Sequence, residues 1–410
     1  MSGTAPTAPD YTRTINSCFL AYIVQAIVNN FAPLLFLTFQ SSYGLALSQI
    51  TLLVTFNFLL QLMIDFISSF LVDLIGVRKS LLLAHGAAGL GLIMLGVLPE
   101  VLPSPFAGLL ISVAVYAVGG GLTEVLISPV VEACPTGNKE KAMSLLHSFY
   151  CWGQAGVILI STLYFTFVGI SYWKYLSFAF AIFCFANGAS FITAPLAPFV
   201  AEGEEGLSKK DLFRSKFFWI LLLMMMCSGA SEQAVSQWAS TFAESALGIT
   251  KTMGDLAGPM MFAVLMGTSR AFYGKLGDRI DLDRFMGLST LLCIFSYLLI
   301  VFSPSPVLSL IGCALTGLSV GIMWPGTMSK AAVLLRNGGT ALYAYLALAG
   351  DLGCSGGPTL AGFVSELLND NLKAGIGAAI IFPVVLLLVI TGLRKSYHAL
   401  YTKCESVETE

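Results

Sequence analysis

Apolar runs follow one another almost end to end along the 410 residues, and this constrains the fold more than any motif. A helix needs about 20 apolar residues to cross the hydrocarbon of a bilayer. Runs of that order occupy 15–40, 47–73, 79–100, 106–133, 142–169, 175–200, 217–246, 252–274, 285–304, 307–333, 340–366 and 374–394. Only 11% of the residues are charged against 56% hydrophobic, too few to coat soluble domains of this total length. The expected fold is all-α, a membrane protein of twelve transmembrane helices in two pseudo-symmetric six-helix bundles. Residues 1–14 read as a disordered tail, 15–200 as the N-terminal half, 201–216 as a charged linker, 217–394 as the C-terminal half and 395–410 as a second tail. The first apolar run is longer than a signal-peptide core, so no cleavage is expected.

Basic residues set the orientation, because loops on the cytoplasmic side carry the excess of lysine and arginine. With twelve crossings, Lys174, Lys251 and Lys373 fall on one side and Arg270 inside a span, while every other lysine and arginine falls on the side of the termini. Both termini are therefore expected in the cytoplasm, with the chain an integral multi-pass protein of the plasma (bacterial inner) membrane. One missed helix would scramble this asymmetry.

An internal repeat agrees with the division. Gly121 to Pro129 reads GLTEVLISP in the fourth span, and Gly317 to Pro325 reads GLSVGIMWP in the tenth. Gly153 to Gly156 (GQAG) in the fifth is matched by Gly350 to Gly353 (GDLG) in the eleventh. The loop after span two, SFLVDLIGVRK with Asp73 and Arg78, is matched after span eight by GKLGDR with Asp278.

Twelve spans, a charged central linker and these paired loops resemble the major facilitator superfamily over nearly the whole chain. The resemblance implies that spans one, four, seven and ten line a central cavity and that the paired loops act in gating. It departs from the family pattern at Ser69, where glycine is usual, and at Leu74, where a base is frequent. Within the superfamily, LTEVLISPVV with Glu124 and Pro129 is similar to the fucose permease branch of sugar–proton symporters. In span one, QAIVNNF places Asn30 where that branch tends to have an acid.

A charge in hydrocarbon costs roughly 2.5–3.5 kcal/mol on insertion scales, so such residues face a cavity or a partner. Five lie deep in the spans: Asp65, Glu124, Glu232, Arg270 and Asp351, all on helices that the resemblance places at or beside the cavity. Glu124 and Glu232 are the candidates for proton coupling. Asn29, Asn30, Gln154, Gln233, Gln237, Trp238 and Trp324 are the candidates for solute contacts, amides for hydroxyl groups and rings for stacking. Asp65, Asp73, Arg78, Arg270, Asp278 and Asp351 are expected to be structural or gating, with Arg270 paired to Asp351. For each, ordinary packing or a helix-bracing role is the plain alternative. Scattered cysteines suit neither a zinc site nor a disulfide frame. No Walker loop, nucleophile triad, metal-ligand cluster or basic aromatic patch is legible, so an enzyme, a cofactor, a metal and a nucleic-acid partner are not expected.

The leading expectation is secondary active transport of a small polar solute, possibly a sugar, by alternating access with proton coupling, in a monomer within the bilayer. The alternatives are an organic-anion exchanger using Arg270 and a drug efflux pump with aromatic walls. A cysteine placed at Ser104 should react with an impermeant reagent added outside intact cells, and one at Glu204 should not. The reverse pattern overturns the topology.

Overall fold

A computed structural model describes residues 10–135, 139–197, 209–276, 280–335 and 339–393. Among them the chain is helical without strands. Twelve rods follow in order: α1 (Thr12–Tyr43), α2 (Leu47–Ile75), α3 (Val77–Val101), α4 (Pro105–Ala133), α5 (Lys139–Phe167), α6 (Ile170–Thr193), α7 (Lys216–Ala246), α8 (251–276), α9 (Leu282–Phe302), α10 (306–334), α11 (Gly339–Leu367) and α12 (Leu372–Leu393). Nine of these helices are long and apolar enough to cross a membrane among the described residues. The exceptions are α5, α8 and α11, and the last two carry deep charges. A short helix, Lys209–Arg214, occupies the end of the expected linker. Residues 1–9 and 394–410, and the loop carrying Asp278, lie outside the described residues, as does the Asp73 side chain; α1 begins at Thr12, inside the stretch 1–14 expected to be a disordered tail.

Packing repeats with an offset of six rods. In the first six, α1 packs on α5, α2 on α4, and α3 on both α4 and α6. In the last six, α7 packs on α11, α8 on α10, and α9 on both α10 and α12. The two sets meet along two seams, α2 with α11 and α5 with α8.

Small residues permit the closest approaches. A Cβ on Gly353 would meet the Met226 carbonyl oxygen of α7, and one on Gly357 the Ala230 carbonyl oxygen. Gly91 on α3 lies equally close to the backbone of Tyr116 on α4. In lipid there is no hydrophobic drive between helices, so such contacts carry the association.

Prolines interrupt several rods. Pro325 lacks the N–H that would bond the carbonyl of Gly321, four residues earlier, and α10 breaks there into Pro306–Val320 and Met323–Leu334. Pro33 does the same to Asn29, and α1 passes into a 3-10 turn over Ala32–Leu35. Pro259 lies in a wide π turn, Leu256–Met260, of α8. Pro129 is accommodated inside an unbroken α4.

Arg78, from the loop after the second span, has a structural partner. Arg78 Nη1 donates to the carbonyls of Phe191 and Ile192 (2.5 and 2.7 Å) and Nη2 to that of Ala194 (2.9 Å). It thereby caps the carboxyl end of α6, where the dipole favours a cation. His85 is also structural: Asn187 donates to Nε2 (2.9 Å), which leaves Nδ1–H to donate to the Leu81 carbonyl (2.8 Å).

Gly353→Ala should destabilise the protein by about 1–3 kcal/mol, because backbone on the facing helix cannot yield to a methyl group. Gly356→Ala, where the added Cβ meets nothing within 4 Å, is the control. Unfolding midpoints in detergent decide; equal behaviour of the two variants overturns this account of the α7–α11 contact.

Candidate functional site

The polar residues of α1, α2 and α4 converge because each helix repeats them at helical spacing. On α2, Asn57, Gln61 and Asp65 are four residues apart and form one stripe. On α1, Gln25 and Asn29 do the same. Gln25 Nε2 donates to Glu124 Oε2 (2.8 Å) and to Gln61 Oε1 (3.3 Å). Gln61 Nε2 donates to Asn29 Oδ1 (2.9 Å) and Asn57 Oδ1 (3.0 Å). All these amides are buried.

The network then crosses to α7. The Asn29 carbonyl, released by Pro33, accepts from Gln237 Nε2 at 3.2 Å. Gln237 also donates to Gln233 Oε1 (3.0 Å), and Gln233 Nε2 to Glu232 Oε1 (3.2 Å). Glu232 Oε2 lies 3.5 Å from Arg270 Nη2. A single belt of side chains therefore runs from Glu124 to Arg270, linking both sets of helices. Gln154 Nε2 reinforces it by donating to Ser236 Oγ (3.0 Å). A narrow cavity beside the belt is lined by Val28, Asn29, Phe36, Asn57, Tyr116 and Gln237.

The expected Arg270–Asp351 pair is corrected: the partner of Arg270 is Glu232. The reason lies in the face that α11 buries. Gly353 and Gly357 pack on α7, whereas Asp351, Ser355 and Thr359 form a different stripe that faces α2. There the Thr55 and Thr359 hydroxyls meet at 2.5 Å, and Ser355 Oγ approaches the Thr55 carbonyl at 3.5 Å. Asp351 is thereby placed against Asp65, and Glu124 completes the group: one oxygen from each of the three acids lies within 4.8 Å of the others. Sequence spacing does not show this cluster, because its members sit on three different helices.

The other expected solute contacts are placed as follows. Asn30 Nδ2 donates to the Ala26 carbonyl (3.0 Å) and approaches the Tyr150 hydroxyl (3.5 Å). Trp238 is fully buried, tilted against Phe36, with Nε1 donating to the Pro358 carbonyl (3.0 Å). In this conformation it braces α7 against α11 and presents no face to a solute. Trp324 is partly buried and lies over Gly350, where a Cβ would collide with its ring.

A second ionic group, which the sequence reading does not single out, lies at the end of the bundle opposite the termini. Lys251 Nζ bonds Glu244 Oε1 (3.0 Å) and Asp255 Oδ2 (3.2 Å), and donates to the Leu34 carbonyl of α1 (2.6 Å). It also sits 5.6 Å from the Phe165 ring centroid on α5. Thr162 donates to Asp255 (3.4 Å), and the Thr166 and Thr252 hydroxyls meet at 2.9 Å. The hydrogen bonds just described between the two sets of helices lie at the belt or toward this end. The bundle is thus tied shut on the side away from the termini.

Comparisons with known proteins follow from this architecture. The Major Facilitator Superfamily matches residues 17–358. Among solved structures, a bacterial homolog of the human lysosomal transporter Spinster, inward-facing and unoccupied, has a TM-score of 0.74 at 13% identity, covering 95% of this chain and 97% of its own. A D-xylose–proton symporter gives 0.73 at 14% identity, with 93% and 97% covered. The E. coli fucose:proton symporter gives 0.64 at 15% identity, with 93% and 98% covered. No curated protein sequence matches the chain.

Arg270→Gln or Glu232→Gln alone should destabilise by about 3–5 kcal/mol, as for a buried pair that loses one partner. The double neutral variant should recover much of this, whereas adding Asp351→Asn to Arg270→Gln should not. A double-mutant cycle on unfolding midpoints measures it; recovery through Asp351 overturns the pairing.

Proposed function

Because the chain belongs to the Major Facilitator Superfamily, we propose that it is a secondary active transporter that moves a small polar solute, a sugar, by alternating access coupled to protons. Twelve crossings, with both termini in the cytoplasm, are part of this reading and rest on the lysine and arginine asymmetry. The end tied shut by Lys251 is then the outer gate, and the conformation is inward-facing. Two six-helix halves joined by the 201–216 linker supply the bodies that rock about the belt.

The observation that carries the proposal is the unbroken line from Glu124 through Gln25, Gln61, Asn29, Gln237 and Gln233 to Glu232. Amides offer donors and acceptors together, as a hydroxyl-rich solute requires. Glu124 sits at one end of this line with an amide partner and no basic contact. Its charge therefore changes with the proton it carries, and Gln25 transmits that change to the solute-binding amides. Glu232 is held by Arg270 and serves the same line from the other half. Two of the similar structures are sugar–proton symporters, which supports the same choice. The Arg270 charge is already engaged by Glu232, which favours a neutral solute over an organic anion.

Glu124→Gln should abolish accumulation of solute against a gradient while preserving counterflow exchange. Exchange needs only the loaded carrier to reorient, and glutamine mimics the protonated acid. Paired uptake and counterflow in proteoliposomes with an imposed pH gradient test this. Wild-type uptake indifferent to the gradient, or a Glu124→Gln protein that still concentrates solute, overturns proton coupling through this residue.

A further inference from the structure

We propose that Asp65, Glu124 and Asp351, together with the carbonyl oxygen of Gln25, form a binding site for a monovalent cation of sodium size at the seam of α2, α4 and α11. This deepens the transport reading and rests on it for its role, because it gives the same carboxyl group a second coupling ion.

The geometry comes first. One oxygen from each acid lies within 4.8 Å of the other two. Hard cations of calcium's radius, which sodium shares, hold oxygens at about 2.3–2.6 Å, so oxygens on opposite sides of such a shell stand about 5 Å apart and neighbouring ones closer. The three carboxylates therefore fit one coordination shell without moving their helices. The donor set is all oxygen, which excludes soft metals. Magnesium demands a near-octahedral shell at about 2.0–2.1 Å, and calcium takes six to eight ligands. Four protein oxygens on four helices, α1, α2, α4 and α11, suit a weakly held monovalent ion better.

The second observation is independent of the acids. Gln25 is 2% exposed, and its amide nitrogen is already committed to Glu124 Oε2 and Gln61 Oε1. The orientation of the amide is fixed, because Gln61 in turn donates its own nitrogen to Asn29 and Asn57. The Gln25 carbonyl oxygen, on the same planar group that touches Glu124, is buried without a donor. Asp65 Oδ1 and Asp351 Oδ2 are likewise buried, with Asp351 only 6% exposed, and the two carboxyls stand within hydrogen-bond reach of each other, so each lacks a donor unless a proton or a cation lies between them. Nearby Arg270 is turned to Glu232. Buried acceptors without donors are costly, and what this set requires is a positive species. One cation leaves surplus negative charge, so a proton remains on one of the acids alongside it.

The site has a mechanical consequence. Asp65 and Glu124 belong to the first six helices and Asp351 to the last six, so an occupied site joins the two halves at the seam. Loss of the cation leaves like charges face to face, which favours separation of α2 from α11.

The test uses the full chain purified in detergent, without solute. Unfolding midpoints from tryptophan fluorescence are recorded at pH 8 with sodium, lithium, potassium, magnesium or calcium chloride, ionic strength being held with choline. Equilibrium binding of radioactive sodium is measured in parallel. Sodium should raise the midpoint saturably over choline. Asp351→Asn and Gln25→Leu should each weaken the sodium response by about tenfold or more, as loss of a metal-site group does. Asp351→Glu should retain part of the response and serves where Asp351→Asn does not fold. Glu100→Gln, at a surface pair with Lys174, should respond as wild type. A midpoint that follows pH but ignores sodium shows protons only and overturns the site. So does a sodium response that survives both Asp351→Asn and Gln25→Leu, or a response to divalent ions alone. Absence of sodium binding with uptake still driven by pH through Glu124 removes this inference and leaves the transport reading standing. Sodium binding in a carrier indifferent to pH does the reverse.

Discussion

Every polar group carried into an apolar bundle must find a partner inside it, since there is no water to take its place. The architecture of this protein follows from that single requirement. Many of its buried amides and acids are gathered into one belt where both sets of helices meet, so that most satisfy a neighbour. Elsewhere small residues and apolar side chains make most helix contacts, with local polar ties such as His85 to Asn187 and Lys251 to Asp255. The prolines take part in the same accounting. By removing a backbone donor, Pro33 leaves the Asn29 carbonyl open, and Gln237 from the opposite set takes it. A helix defect on one side thus becomes a hydrogen bond across the molecule.

Much of this was legible in the residues. Span positions follow from hydropathy, because a helix must be apolar for its full crossing. The concentration of deep charges on α2, α4, α7, α8 and α11 is also visible, since ionisable residues in a bilayer are rare enough to stand out. The stripe Asn57, Gln61 and Asp65 could have been read from its four-residue spacing, as could Gln25 and Asn29. Which charge meets which could not. Hydropathy fixes the depth of a residue only to within a turn, and it says little of the rotation of a helix about its axis. Arg270 and Asp351 share a set of helices and opposite charge, yet the glycine face of α11 turns Asp351 toward α2. A pairing inferred from charge alone misses this, because the deciding contacts are backbone approaches at Gly353 and Gly357. The Lys251 group was hidden for a related reason: Glu244 and Asp255 lie near helix ends, where charge is ordinary, and only the fold brings Leu34 and Phe165 to them.

The two ionic groups differ in a way that suits different tasks. Lys251 is compensated twice over by Glu244 and Asp255 and reaches across to a backbone carbonyl, so it ties one end of the bundle with a cation built into the chain. The acids at the α2–α11 seam have no such base. Their mutual proximity is tolerable only while positive charge, proton or metal ion, sits among them. On the proposed reading, a gate locked by a lysine of the chain and a seam held by an exchangeable ion have different controls. In the proposed cycle the first would open when contacts along α1 and α5 are traded for others, the second when its ion leaves. Gln25 touches both the seam acid Glu124 and the amide line through Gln61, so in the proposed mechanism departure of the ion would be felt at the amides assigned to the solute. That physical connection is what coupled transport requires: the ion and the solute each alter the free energy of the same rearrangement, and so each alters the affinity for the other.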